Sequence, residues 1–464
     1  MFTMNRLSAA MLRAAPDHPD RPTGRTLRGT YVGIAIALVL CVIVAIIGIL
    51  FPGRVATWRT EGTVVLEEDT GARYLYLGGE LRPVLNVATV QLLLGGSRPV
   101  ETASSAALAG TPRGAPLGIT GAPEVLPSPA ALSRDPWLSC AIRETSNGKT
   151  TAGLALEIGQ PSRGTALGHA EGVLVAGPDA ALYLLWDGTR HRLDIAHGAR
   201  QALGYGAATP RSVTADFLTL VPAGADAAPP DLPGRGNLAA PIAGRPARIG
   251  QLYTSGSGAV YVLTVDGLSP LTETARSLLL GDPRTQELSY QGATPVVGTV
   301  GPQDLSNRLA PERPAPVGAL PAVPPRLIDD DPGLAVCVST SADQDQPVRT
   351  LVTVPAASLG GQEGTPQLGV APGCGLADRI AVRGGRGVLV STVPTQGSAV
   401  WFLVTDVGVK FPLPAAGPPD AFGYRNLAPA RVPAFLVNLL PTGPALDPAL
   451  FTGKPSTASN PTCA

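Results

Sequence analysis

Chemistry in this sequence would have to come from a few polar clusters, and the most suggestive is Gly148-Lys149-Thr150 in SNGKTTAG. A P-loop ends in Gly-Lys-Ser/Thr because the Lys reaches the outer phosphates while a Gly-rich loop cradles the rest with backbone N–H groups. That cradle requires a Gly five residues before Gly148, and the position holds Arg143. The loop's donors make such a site, not the Lys alone, so half of the motif predicts no nucleotide binding. His18, His169, His191 and His197 show no HExxH or other metal spacing, and His191 and His197 read as solvent-exposed in a turn and a helix. Asp329-Asp330-Asp331 could attract a cation, but three consecutive carboxylates do not point one way, and a solvated loop is expected. No GxSxG and no Cys–His pairing is present. The expectation is no catalytic residue, no cofactor and no metal, hence a protein that is not an enzyme.

The elements around these clusters are more informative. No charged residue occurs between Arg28 and Arg54, and YVGIAIALVLCVIVAIIGILF, residues 31–51, is apolar throughout. As a helix it rises roughly 31 Å, enough to cross a hydrocarbon core of about 30 Å. A cleaved signal peptide has a shorter apolar run of about 7–15 residues ending in small residues, whereas this one meets Phe51-Pro52-Gly53-Arg54. A retained single span follows. Arg6, Arg13, Arg21, Arg25 and Arg28 precede it, against Arg54, Arg59 and Arg73 just after it. The positive-inside bias puts the N-terminus in the cytoplasm and the remaining body outside. Met4, Leu7, Met11 and Ala14 in the foot fall on one helical face, with Arg6 and Arg13 off it, which suits a membrane-surface helix or a docking helix equally.

Charge is balanced, 35 basic against 35 acidic residues, without a basic stripe, which excludes ordinary nucleic-acid binding. Cys41 lies within the span, and Cys140, Cys337, Cys374 and Cys463 are widely separated without CxxC. Outside the cell membrane their default is a disulfide, and four cysteines allow three pairings.

The exported part repeats itself. GTVVLEEDTGARYLYLGGELRPVLNVATVQLLLG (62–95) is echoed at 172–204, at 250–281 and, more divergently, at 387–423. Each copy has a short apolar strand, a polar turn, and a strand carrying an aromatic residue: Tyr74, Tyr183, Tyr261 or Trp401. A turn then contains Gly79, Gly188, Gly267 or Gly408, where positive φ is needed. An Ala/Leu-rich run ending in Gly closes the first three, so each reads as a ββα unit with the aromatic residue in its core. The fourth has PLPAAGPPD at the helix position and is expected to lack that helix. Between the copies lie Pro-rich stretches at 109–132, 221–246 and 309–326, expected to be semi-rigid extended spacers. PWLSCAI and LAVCVST read as strands of a separate central module, and the polar 453–464 tail as disordered.

The predicted architecture is therefore α+β, with a mainly β extracytoplasmic body on one N-terminal transmembrane helix. Its parts are a cytoplasmic segment (1–28), the transmembrane helix (29–53) and a first repeat (54–108). A central domain takes 109–165 and 300–380. The second (166–220), third (247–299) and fourth (381–425) repeats, a C-terminal segment (426–452) and the tail complete it.

RLSAAMLR with PDHPDRP, the single span and GARYLYLGGELRPVLNVA together resemble the start of EccB proteins, membrane components of type VII (ESX) secretion systems of actinobacteria. The resemblance continues through TPRGAPLGITGAPEVLP, WLSC, FLTLVPAGADAAPPDLPGRG, PPRLIDDDPGLAVCVST and VPAFLVNLLPTGPAL, in order along nearly the whole chain. It implies a single-pass subunit of an inner-membrane translocation complex, beside an FtsK/SpoIIIE-like ATPase (EccC), EccD and EccE. It also implies a homo-oligomer with a periplasmic body of a central β domain and four repeats, and export of WXG100-type proteins. The family disulfide maps onto Cys140 and Cys337, leaving Cys374 and Cys463 unassigned. EccB proteins often carry a further helix ahead of the part matched here, so either the true start lies upstream of Met1 or docking in the cytoplasm is reduced. The alternative reading from a different class is an anchored cell-wall-binding protein whose repeats grip peptidoglycan by avidity.

Overall fold

A computed structural model describes Met4, Leu7 and Met11, and residues 24–50, 56–146, 148–161, 164–311, 319–341, 347–363, 367–373, 375, 377–393 and 399–451. Cys374, Cys463 and the 453–464 tail lie outside the described residues. Met4, Leu7 and Met11 are helical and exposed. The chain divides into two units, one of residues 1–85 with 98–117, the other of 86–97 with 118–464.

In the first unit, helix α1 (Gly24–Leu50) contains the one stretch among the described residues, Thr26–Ile47, that is long and apolar enough to cross a membrane. None of that stretch is buried in the protein, as a lipid-facing helix requires. A four-stranded sheet follows, with strands β1 (Val64–Glu67), β2 (Arg73–Leu77), β3 (Glu80–Pro83) and β4 (Val100–Ala103) in the order β3-β2-β1-β4. Two tight hairpins make β1-β2-β3 antiparallel, and β4 joins parallel to β1. Between β3 and β4 the chain belongs to the second unit, where it forms α2 (Val87–Leu94). After β4 comes α3 (Ser105–Leu108), capped by the Ser104 side chain, which accepts from the Ala107 N–H. Trp58, Val65, Leu81, Ala103 and Leu108 form the core.

The second unit is organised by a seven-stranded sheet. Its strands are β5 (Trp137–Ser146), β6 (Lys149–Ile158), β7 (Thr165–Ala166), β19 (Leu334–Thr340), β20 (Arg349–Pro355), β21 (Gln362–Glu363) and β22 (Arg379–Val382), in the order β21-β22-β6-β5-β19-β20-β7. Strands β8 (Glu171–Ala176), β9 (Leu182–Trp186), β10 (Thr189–Arg192) and β11 (Arg211–Ser212) form a second small sheet, with helices α4 (Ala199–Ala202) and α5 (Ala215–Leu220) around β11. A hairpin of β12 (Leu238–Ile242) and β13 (Arg245–Arg248) precedes a third, built from β14 (Leu252–Thr254), β15 (Val260–Thr264), β16 (Gly267–Leu271) and β17 (Gly298–Thr299) with α6 (Glu273–Gly281) and α7 (Pro302–Arg308). Then β18 (Arg326–Leu327) pairs with β8. The last small sheet has β23 (Val388–Val393), β24 (Trp401–Val404), β25 (Lys410–Pro412) and β26 (Ala430–Pro433), followed by α8 (Ala434–Asn438).

All four small sheets have one strand order: the third, second, first and then fourth strand, with the fourth parallel to the first. This corrects the ββα expectation, because a third strand intervenes between the Gly turn and the helix. Pro83, Pro270 and Pro412 disguise it in three of the four. In the fourth, a single 3-10 turn, Asp420–Phe422, stands where a helix lies in the others.

The Pro-rich stretches are not spacers either. Leu81 N–H donates to Pro112 O (2.8 Å), Arg190 N–H to Pro222 O (2.8 Å) and Lys410 N–H to Pro441 O (2.9 Å). Gly114, Gly224 and Gly443 N–H then donate back to the same three residues, and Leu268 bridges Leu309 in the third sheet. Each stretch is thus strapped along its sheet's free edge, a place that tolerates proline's missing N–H. The 221–246 stretch also holds most of the β12-β13 hairpin.

Partners are exchanged reciprocally within the second unit. Tyr205 donates to Pro325 O (2.9 Å), and Tyr424 donates to Pro127 O. Leu132 bridges Gly387 at the start of β23, as Arg326-Leu327 pairs with Glu171-Gly172 at the start of β8. Leu278 of α6 packs with Leu174, Ala199 and Leu203, while Ala88 and Leu92 of α2 pack with Leu403, Phe411 and Phe422. Helices α4 and α6 approach closely enough that a Cβ on Gly281 would lie 2.4 Å from Ala202 Cβ. Overpacking at such a contact costs about 1–3 kcal/mol. Gly281→Val is expected to lower the unfolding free energy by about that amount in denaturant melts. Gly256→Val, at a turn with open space around it, should change it by less than about 0.5 kcal/mol.

Candidate functional site

The half P-loop lies at the tip of the β5-β6 hairpin. Gly148 turns with φ 75°, and Lys149 begins β6 exposed to solvent. Thr145 and Thr150 hydroxyls meet across the hairpin at 3.2 Å. Strand–turn–strand replaces the strand–loop–helix that a P-loop needs, and Arg143 is engaged with Asp330.

Asp329 and Asp331 are exposed, as a solvated acidic loop requires, and the exception is Asp330. Its carboxylate accepts from Arg143 and, at 3.1 Å, from Arg211, which is 5% exposed. Arg211 also donates to Leu334 O (2.6 Å) and Asp331 O (2.9 Å). Burial lowers the Arg211 pKa and the Asp330 charge opposes that shift, so the loop is a clamp on the approach to β19. A second clamp centres on Asp282, whose side chain is fully buried between Arg235 and Arg284. Burial pushes its carboxyl up, but bonds from Arg284 and Arg235 outweigh that and hold its pKa below the usual value.

His191 is likewise corrected, from exposed to fully buried. The sequence placed it in a turn, but it belongs to β10 and points inward. Its Nδ1 meets Ala225 O at 2.7 Å and its Nε2 meets Thr189 Oγ1 at 2.9 Å. Burial lowers its pKa, and the ring clips the 221–227 strap to its sheet. His197 is half-buried against Asp194 (2.5 Å).

Tyr74, Tyr183, Tyr261 and Trp401 are half-buried, each packed at the margin of a core. Arg113 lies 4.2 Å over the Tyr74 ring. Gly79, Gly188, Gly267 and Gly408 have φ of 76°, 73°, 123° and 75°, the left-handed region in which Cβ-bearing residues are strained. Cys140 and Cys337, directly opposite in the β5-β19 register, are bonded to one another and fully buried. No group of His, Cys, Asp or Glu among the described residues could hold a metal ion.

The sequence reading missed one set of positions, the strap-pairing residue at or next to the start of each third strand. In the first and third sheets these are Leu81 and Leu268, buried without exposure. In the second and fourth they are Arg190 and Lys410. Arg190 donates to Leu218 O and to Val221 O (2.8 Å), at the end of α5. Lys410 Nζ donates to Val437 O (3.0 Å) in α8, 5.6 Å from the Phe402 ring centre. Each cation therefore adds a charged donor to carbonyls at a helix C-terminal end, where positive charge is favoured; Leu218 O and Val437 O also accept the Val221 and Leu440 N–H groups. Lys410 is 2% exposed, and burial lowers its pKa to about 8. The available signal was a cation two residues after the turn Gly in just two of the four copies.

The chain matches a family described as type VII secretion system ESX-1, transport TM domain B, over residues 1–451. The ESX-3 secretion system ATPase EccB3 of Mycolicibacterium smegmatis is 28% identical over 408 residues, covering 83% of this chain and 76% of that protein. The ESX-1 secretion system ATPase EccB1 of Mycobacterium tuberculosis is 25% identical over 470 residues, 96% of this chain and 91% of that one. Among solved structures, a chain of an intact ESX-5 inner membrane complex superposes with a TM-score of 0.65 at 20% identity, covering 97% of this chain and 92% of its own. A chain of the EccB3 dimer from the ESX-3 core complex gives 0.62 at 24% identity, covering 83% and 98%. Both share this fold. The relatives' names correct the expectation that the chain is not an enzyme: they are called ATPases. An incomplete P-loop excludes only one way of holding a nucleotide, so it could not carry that conclusion. With a match from residue 1 to residue 451, this chain belongs to the EccB family of type VII secretion systems.

Proposed function

We propose that this chain is a structural and assembly subunit of an inner-membrane type VII secretion complex, acting through protein–protein contacts and supporting export of WXG100-type proteins. The observation that carries the reading is a family match along almost the whole chain, with a fold shared by chains of ESX inner membrane complexes. Helix α1 crosses the membrane once, with the Arg-rich N-terminus in the cytoplasm and the β body in the periplasm. Its partners are the FtsK/SpoIIIE-like ATPase EccC, EccD, EccE and further copies of itself.

The body suits such a role because it is built as one module used four times. Shared strand order, positive-φ turns at equivalent places and a strap on each third strand support this reading. The modules begin near residues 54, 166, 247 and 381, and their straps extend them to about 117, 227, 310 and 446. The first resembles the third, with Leu81 and Leu268. The second resembles the fourth, with Arg190 and Lys410, and with Tyr205 and Tyr424 reaching linker carbonyls. Within the second unit, linkers and helices are exchanged reciprocally about the Cys140–Cys337 bond.

Affinity capture of the tagged chain from detergent-solubilised membranes is expected to bring down other secretion-complex subunits. Sedimentation with peptidoglycan instead would overturn the assembly reading. Ser257→Cys, at an exposed turn of the third sheet, should be labelled in intact cells by a membrane-impermeant maleimide, and protection would reverse the topology. Lys410 supplies a test of the module. Its folded pKa of about 8 lies below the ordinary 10.5, so between those values the folded chain binds fewer protons than the unfolded one. Stability therefore rises as pH climbs through this window. Lys410→Met should remove a rise on the order of 2–3 kcal/mol, read as the wild-type-minus-variant difference in urea midpoints at pH 8 and pH 10.5.

A further inference from the structure

One face of the central sheet carries a row of polar groups that the protein does not satisfy. Trp137 begins β5, Thr340 ends β19 and Arg349 begins β20, and the register sets Thr340 opposite both of the others. Ser139 lies two residues along β5 on the same face. Trp137 and Ser139 are fully buried and Thr340 is 1% exposed. Trp137 Nε1, Ser139 Oγ, Thr340 Oγ1 and Arg349 Nε are all buried atoms without a hydrogen-bond partner among the described residues. Buried polar groups are nearly always paired, and several in one row call for a shared explanation.

The chemistry of the four is one-sided. An indole N–H and a guanidinium N–H can only donate, and both hydroxyls can donate as well. Arg349 has no carboxylate within ion-pair distance among the described residues. Burial lowers its pKa, and its guanidinium sits 5.6 Å from the centre of the apolar Phe435 ring. Cross-strand neighbours on one face stand about 5 Å apart, so one small acceptor between these strands is within reach of donors from three positions. A water would answer the hydrogen bonds but leave the half-buried guanidinium charge uncompensated.

We propose that this row binds a small monovalent anion of halide size, accepting from Trp137 Nε1, Thr340 Oγ1 and Arg349 Nε and tying β5, β19 and β20 together at one end of the sheet. The site is coupled to the second small sheet, because Gly188 packs so closely that a Cβ there would lie 2.6 Å from Arg349 O. The anion would then fix the strand on which that turn rests.

The probe is bromide, applied to the complete protein in detergent. Melting in sodium bromide is expected to be higher, by about 2 °C or more, than in sodium gluconate of equal ionic strength. Thr340→Val, which keeps the side-chain shape, and Arg349→Met should both abolish that increment, while Ser257→Ala retains it. Should Arg349→Met not fold, the isosteric Thr340→Val carries the comparison. Crystals grown in bromide should show an anomalous peak within hydrogen-bond reach of Trp137 Nε1 and Arg349 Nε. Equal melting in the two salts, or ordered water without anomalous signal at that position, would overturn the proposal.

Discussion

Cys140 and Cys337 occupy one register position of the antiparallel β5-β19 pair, and most of the second unit is arranged by that pairing. The two residues are 197 apart in sequence. Closing so long a loop removes unfolded-state entropy worth on the order of 5 kcal/mol in the chain-entropy account, whose mechanism is debated. Its directional effect matters more. The chain entering β5 has just passed Pro127 and Leu132, which engage Tyr424 and Gly387 of the fourth sheet. The chain entering β19 has just passed Pro325 and Arg326, which engage Tyr205 and Glu171 of the second. One central register therefore determines which outer sheet each linker serves. A slip by one residue would turn Val336 and Val338 out of the main core and separate the two sulfurs.

That core lies on one face of the central sheet. Trp137, Leu154 and Val336 meet Val175 and Phe217 from the second sheet and its helix, and Val390, Phe402 and Leu436 from the fourth. The disulfide lies on the other face, with Leu138, Ala155 and Val354. The strap-pairing residue near the start of each third strand decides how its module closes. A leucine there completes an apolar core, and a long cation instead reaches under the sheet to the end of a short helix. The two solutions differ in cost. Leucine gains burial alone, whereas Arg190 and Lys410 give up hydration and recover it through carbonyls at a helix C-terminal end.

The sequence made some of this legible and hid the rest for identifiable reasons. The spanning helix, the paired hairpin strands and the turn glycines announce themselves locally, through an unbroken apolar run, alternation and Asp-Gly or Gly-Gly pairs. The third strands do not, because Pro83, Pro270 and Pro412 read as breakers where they are edge residues. The fourth strands are as short as Arg211-Ser212 and Gly298-Thr299, and parallel pairing leaves no local signature. His191 was misplaced for a related reason: its partner Ala225 lies in a strap that reads as linker. Composition marks proline-rich stretches as extended, yet it does not say which edge they cover.

The fourth sheet shows how far the modules depend on one another. PLPAAGPPD cannot form a helix, since proline removes N–H donors and crowds the preceding turn, and only the Asp420–Phe422 turn stands there. The apolar face that this exposes on Leu389, Leu403 and Phe411 is covered by α2, a helix encoded more than 290 residues earlier between β3 and β4. That helix is fixed at its start. Asn86 accepts from Thr89 N–H (3.2 Å) and donates to Ile119 O (2.9 Å), while Thr89 Oγ1 accepts from Ile119 N–H (3.0 Å). A segment carried by the sheet that follows the membrane helix thus completes the core nearest the C-terminus. Contacts of such sequence separation are slow to form, because loop closure comes before the burial that rewards it. The fourth core therefore closes only after the chain has been made through Tyr424 and Leu446, both of which it buries.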